Sequence, residues 1–258
     1  MIIPQIHPTA VVHTSASIGP NVEIGPYTVV EENVQIGDST WVGNHVNLRK
    51  GSIIGSHCKV FHSSVIGEVP QDLKFESEET TALIGNNVVI REFVTVNRGT
   101  KALGRTEIGD NSYLMAYVHI AHDCIIGKNV ILANSIHLGG HVEIADWTIV
   151  GGGVLIHQFV KIGSHVMIGG GYRTVQDVPP FIMAAGEPLQ FSGINSIGLR
   201  RRGFNLEIRK AIKGAYRILF RSNLQRHDAI KMMAEKYPDR SEVQEIISFV
   251  EKSKRGLI

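Results

Sequence analysis

Every sixth residue of this chain, from Ile6 to Ile168, is aliphatic with three exceptions. Of the 28 multiples of six in that range only Asp72, Glu78 and Ala102 are not Ile, Leu or Val, where composition alone would fill roughly eight. A spacing of six does not fit the 3.6-residue helical period. It fits a parallel β-helix, in which each repeat is one short strand and stacked repeats share a continuous core. Glycine favours the next position (Gly19, Gly37, Gly109, Gly127), which reads as a tight corner with backbone angles that a side chain resists. A small residue tends to follow four after the aliphatic one. Cys58 and Cys124 both fall there, without CxxC spacing, so they read as buried thiols and not as a disulfide or zinc knuckle.

Two charged segments, 67–83 and 97–107, interrupt the repeats while keeping their phase, as loops leaving a prism would. The rhythm stops near residue 176 at VPPF, whose paired prolines cannot continue a strand interior. Helical spacing then takes over at 205–222, with Asn205 as N-cap, and again at about 225–236 and 241–254. Ser241 and Gln244 read as a capping box for the last helix. The expected organisation is a β-helix over 1–192 and a small helical domain over 193–258.

The 258 residues carry a formal net charge of +2, too small to point to nucleic acid. Basic residues crowd toward the C-terminal third. No stretch reaches the roughly 18 apolar residues of a membrane span, and no secretory leader opens the chain. A cytoplasmic protein without stable membrane insertion is the expectation.

The pattern [Ile/Leu/Val]-Gly-x-x-[small]-x resembles the hexapeptide-repeat acyltransferases. That resemblance implies a left-handed parallel β-helix of triangular coils, three strands and hence 18 residues per coil. On such coils His122, His141 and His157 come from three successive turns and share one corner. Gly140 and Gln158 lie in line with His122, and His119 stacks on His137. Gly152 and Gly170 share another position one coil apart. Scattered surface histidines would not cluster in this way.

The resemblance becomes specific in QDLK (71–74), HIAHDC (119–124), LGGH (138–141), IHQF (156–159), DVPP (177–180) and GLRRRGF (198–204). Together these resemble the acyl-carrier-protein–UDP-N-acetylglucosamine O-acyltransferase family, which begins lipid A synthesis, over nearly the whole chain. A related N-acyltransferase family carries an additional N-terminal domain, for which there is no room before Ile6. The implied reaction moves a 3-hydroxyacyl chain from acyl carrier protein to the sugar's 3-position in a homotrimer, with no cofactor and no metal.

Thioester-to-hydroxyl transfer needs a base and an oxyanion donor. His122 suits the base, Asp123 its assistant and the Gly140 backbone N–H the oxyanion donor. The resemblance places Asp72, Lys74, His119, His141, His157 and Gln158 around the sugar nucleotide, and Asn195, Arg201 and Arg202 on phosphate. It assigns Gly152 and Gly170 to the acyl groove, where glycine suggests a long chain. Basic residues of the first tail helix suit an acidic carrier protein. Asn97, where the family usually has histidine, and Ile197, where an acid is frequent, leave open a 3-amino acceptor. A γ-carbonic-anhydrase-like zinc enzyme and a non-catalytic β-helix scaffold are the alternatives of other classes.

Overall fold

The computed structural model describes residues 4–258. Short parallel strands, most of two residues, stack into sheets of eleven, nine and eight strands. These form the first, second and third faces of a prism, in the order in which the chain meets them. Until the end of the first sheet, neighbours are three strands apart in sequence, so one circuit visits all three faces. Away from the insertions the register is 18 residues, as in His119 opposite His137 and Glu143 opposite Lys161. The coils form a left-handed parallel β-helix.

The six-residue aliphatics fill the prism: Leu114, Ile120, Leu132 and Val150 are fully buried. The small position four residues later closes a second ladder. Thr28, Ser112 and Thr148 donate to the carbonyls of Gly43, Gly127 and Gly163 at 2.7–3.0 Å. Their hydroxyls accept from the amides of Val46, Val130 and Val166 in turn, so each buried hydroxyl is used as both donor and acceptor. Cys124 takes one of these places, its Sγ 3.2 Å from the Gly139 carbonyl. Burial pushes its thiol up to about 12, which keeps it protonated and inert at neutral pH.

The glycine after most of these aliphatic residues serves close approach and not corner angles, Gly67 with φ 80° being an exception. A Cβ on Gly109 would stand 2.6 Å from the Gly127 carbonyl carbon, and one on Gly37 as close to that of Gly55. The left-handed turn falls two residues later, usually on a residue other than glycine: Asn111, Asp123, Asn129 and His141 have φ between 56° and 61°. Asparagine and aspartate tolerate this region best among side-chain-bearing residues.

Both charged insertions leave at the corner between the second and third faces. They are shorter than their composition implies, because Val65–Glu68, Thr81–Ile84, Thr95–Asn97 and Arg105–Ile108 are strands. Pairing of Glu68 with Asn97 and of Thr81 with Arg105 extends the ladder into charged sequence, leaving loops at 69–80 and 98–104. The last regular coil strand is Arg173–Thr174, after which Ile182–Ala185 and Gln190–Ile194 close the first face as an antiparallel pair. That final strand runs past the expected boundary at 192.

Four helices follow: α1 Ser196–Arg201, α2 Leu206–Arg221, α3 Arg226–Lys236 and α4 Ser241–Lys252. Asn205 caps α2, its side chain accepting from the Ile208 amide at 2.9 Å. The capping box expected at Ser241 is absent. Arg240 is the N-cap, so Ser241 already lies inside the helix, and Gln244 turns toward the Tyr237 carbonyl. Tyr216 of α2, fully enclosed, donates to the Pro180 carbonyl and ties the helices to the end of the prism.

Candidate active site

Five successive coils build one edge of the prism, between the second and third faces. The first two give up their corners to the loops 69–80 and 98–104; the next three present His122–Asp123, Gly140–His141 and His157–Phe159. The parallel register stacks these turns directly. The His141 amide donates to the His122 carbonyl at 3.0 Å, and the Phe159 amide to that of Gly140 at 3.0 Å.

His122 Nδ1 lies 2.8 Å from Asp123 Oδ2. The carboxylate is 2% exposed and is held by more than the histidine. Thr100 donates its amide to Oδ1 at 3.0 Å and its hydroxyl to Oδ2 at 2.7 Å, and the Leu103 amide reaches Oδ1 at 3.2 Å. Burial pushes the Asp123 carboxyl up, but these bonds outweigh it and hold the group below its usual range. An acceptor-only carboxylate fixes the His122 proton on Nδ1 and leaves Nε2 with a free lone pair.

Gly140 stands against that ring. A Cβ there would be 2.6 Å from His122 Cε1 and 2.7 Å from Nε2, so only glycine leaves the imidazole in place. Among the described residues the Gly140 N–H has no acceptor. His141 meets His122 edge-on at 5.2 Å between centroids and stacks on Phe159 at 4.6 Å. Burial lowers its pKa, partly offset by the charges of Asp123 and of Asp72 on the 69–80 loop. His119 projects from the second face, its Nδ1 2.8 Å from the Thr95 hydroxyl, and burial with the neighbouring His137 lowers its pKa.

His122, Asp123 and His141 offer ligand atoms within 4.8 Å of one another. As donors they could hold a divalent ion only by displacing the hydrogen bonds that saturate Asp123. The arrangement is instead that of a base–orienter pair beside a free backbone N–H.

The remaining candidates do not converge in one chain. His157 meets Arg255, its Nδ1 3.2 Å from Arg255 Nη2. Lys74 is exposed beside Asp72, whose carboxylate accepts its amide at 3.0 Å. Gly152 and Gly170 sit on the corner between the first and second faces, each a close fit against the coil before it. Arg202 lies at the third corner, 5.3 Å over the Trp147 ring and 3.4 Å from His165 Nδ1, and Arg201 is exposed at the end of α1. Both polar atoms of Asn195 are used internally: Oδ1 caps α1 through the Gly198 amide and Nδ2 donates to the His165 carbonyl. Asn97 is also turned inward, bracing the 69–80 loop through the Val69 carbonyl at 2.8 Å. Thr100 and Arg255 are the site neighbours that sequence reading missed. The pattern NRGT held a hint of the first, since its threonine closes the loop one coil below HIAHDC.

Stacked hexapeptide coils carrying a histidine–carboxylate pair at one edge define a transferase of the β-helical class. A family described as the second domain of UDP-N-acetylglucosamine O-acyltransferase matches residues 177–258, and bacterial transferase hexapeptide repeats match 105–135. The C-terminal domain of GMPPB, a further family, matches 4–103. Curated acyl-carrier-protein–UDP-N-acetylglucosamine O-acyltransferases from Paraburkholderia phymatum and Thermodesulfovibrio yellowstonii are 47% and 46% identical. Each alignment covers 98% of this chain, and 99% and 98% of the respective relative. The solved UDP-N-acetylglucosamine acyltransferases of Bacteroides fragilis and Campylobacter jejuni superpose with TM-scores of 0.96 and 0.93, at 47% and 38% identity. They cover 98% of this chain, and 99% and 98% of their own. The chain belongs to the acyl-carrier-protein–UDP-N-acetylglucosamine O-acyltransferase family.

Proposed function

We propose that this protein transfers a 3-hydroxyacyl group from acyl carrier protein to the 3-hydroxyl of UDP-N-acetylglucosamine, the entry step of lipid A synthesis. The observation that carries this reading is the His122–Asp123 pair, its free Nε2 set beside the unpaired Gly140 N–H. His122 Nε2 takes the sugar hydroxyl proton as the oxygen attacks the thioester carbonyl. The Gly140 N–H stabilises the oxyanion, and Asp123 holds the imidazolium. As the intermediate collapses the C–S bond breaks, and His122 returns the proton to the departing sulfur. One C–O bond replaces one C–S bond, and no acyl-enzyme forms.

Asp72, Lys74, His119, His141, His157 and Gln158 bind the sugar nucleotide in this reading, and Arg201 and Arg202 neutralise phosphate. Gly152 and Gly170 leave room for a long acyl chain, and Arg209, Lys210, Lys213, Arg217 and Arg221 of α2 receive the acidic carrier. The catalytic, glycine and arginine groups occupy three different corners of one prism, so a homotrimer supplies the missing corners at each site. No described helix is long and apolar enough to cross a membrane.

The test is acyl transfer from 3-hydroxyacyl carrier proteins of graded length to UDP-N-acetylglucosamine and to its 3-amino analogue. Wild type should acylate the hydroxyl acceptor, and His122→Ala should fall by about 10²–10⁴. Transfer to the amino acceptor alone would move the assignment there, and transfer to neither would overturn it.

A further inference from the structure

The end of the chain returns to the catalytic edge. Beyond α4 the tail forms a parallel bridge, Asp177 with Leu257. The Asp177 amide donates to the Gly256 carbonyl at 2.9 Å, and the Ile258 amide to the Asp177 carbonyl at 3.2 Å. The Asp177 carboxylate, 1% exposed, accepts from the Lys161 amide at 2.8 Å and the Ser253 hydroxyl at 2.7 Å. Its charge is used to fasten residues 253–258 to the last coils of the prism.

What this staple positions is Arg255. Its Nε donates to the Val175 carbonyl at 3.0 Å, and its Nη2 reaches His157 Nδ1 at 3.2 Å. A guanidinium can only donate, so Nδ1 must accept and the neutral ring carries its proton on Nε2. The Gln158 carbonyl, 3.1 Å from the same nitrogen, asks for the opposite tautomer. The permanently charged donor is the stronger partner. Among the described residues no carboxylate lies within 4.0 Å of Arg255, so its positive charge is uncompensated.

We infer that Arg255 is a positioning residue for the sugar nucleotide. It locks His157 as an Nε2–H donor, and with its own charge makes this end of the edge a seat for the diphosphate. The inference rests on the acyl-transfer reading above for its ligand, but the Arg255–His157 contact can be tested without it.

The experiment uses the full-length protein with UDP-N-acetylglucosamine as probe, comparing wild type, Arg255→Lys and Arg255→Ala. Calorimetric binding should weaken on the order of tenfold in Arg255→Ala, with partial recovery in Arg255→Lys. In turnover the KM for the nucleotide should rise by a similar factor, while kcat and the KM for acyl carrier protein hold. The ¹⁵N spectrum, with His157 assigned by His157→Gln, should show an unprotonated Nδ1 that loses this character in Arg255→Ala. An unchanged nucleotide affinity, a rise confined to the carrier's KM, or a protonated Nδ1 in wild type would each overturn the inference. Failure of wild type to bind the nucleotide would instead sink the acyl-transfer reading, and the spectrum would still decide the role of Arg255.

Discussion

Asp123 is the residue on which the proposed catalytic edge turns, because three hydrogen bonds besides that of His122 hold its carboxylate. Thr100 supplies two of those bonds from the loop one coil below, and removing its hydroxyl leaves a buried oxygen short of a donor. Thr100→Val keeps the shape and loses the 2.7 Å bond, so Asp123 rises toward its ordinary pKa and turns more of its charge on His122. We expect kcat/KM to fall about tenfold or more and the acid limb of its pH profile to move upward. Thr100→Ser should stay near wild type. A profile unchanged in position would show that the threonine braces the loop without influencing the base. Gly140→Ala tests the opposite face of the ring, where a methyl group 2.6 Å from Cε1 must displace the imidazole or the coil. Activity should fall by a factor comparable to that of His122→Ala, whereas circular dichroism should show an intact β-helix.

At the scale of elements, the docking of the helical part runs through an aromatic column that continues the prism's third corner. His165 lies between Trp147 and Phe181, nearly parallel to both, with Phe204 edge-on at 4.9 Å. Burial, with the nearby Arg202 charge, lowers its pKa to about 4 from 6.5. Between these values the unfolded chain binds a proton that the folded chain refuses, so stability drops as pH falls from 6.5 toward 4. Allowing for partial exposure, the loss is about 1–2 kcal/mol. His165→Phe preserves the stack and should flatten this slope in thermal unfolding across that window. His119 and His141, also depressed, keep it from vanishing. This column also marks where sequence reading stops. The six-residue period showed the coils because every aliphatic is buried by the same repeating geometry, and α2 was visible through Asn205 and its apolar face. The helix α1 was not: its six residues carry Arg200 and Arg201 and bury only Leu199, too little for a periodic signal. The hydrogen bonds of Thr100 and the return of Arg255 join residues 23 and 98 positions apart. The coil arithmetic does not reach them, because one lies in a loop and the other beyond the repeats.

On the proposed reading, one chain alone does not complete the site. Its catalytic pair, its bare glycine corner and its arginines occupy three edges of one prism, and rotation about the prism axis cannot bring them together. The outward positions of the first face offer the means of assembly. Ile131, Ile149 and Met167 follow one another there as a partly exposed apolar row, and Met183 beyond them is 42% exposed, while the corresponding stretch of the third face includes Glu107, Glu143 and Lys161. An exposed apolar row of this kind marks a protein contact. Ile149 lies in its middle, paired on one side with Ile131 and on the other with Met167. A lysine there leaves the interior of the prism untouched, because side chains alternate between inside and outside along each strand. Ile149→Lys should therefore keep the β-helical spectrum of wild type yet sediment as a monomer. On the trimeric reading its transfer activity should fall far more than the change in stability explains, because each site would lose the corners its neighbour supplies. A monomeric variant with full activity would show that one chain completes its own site, and would require the loops at 69–80 and 98–104 to close over His122 without help.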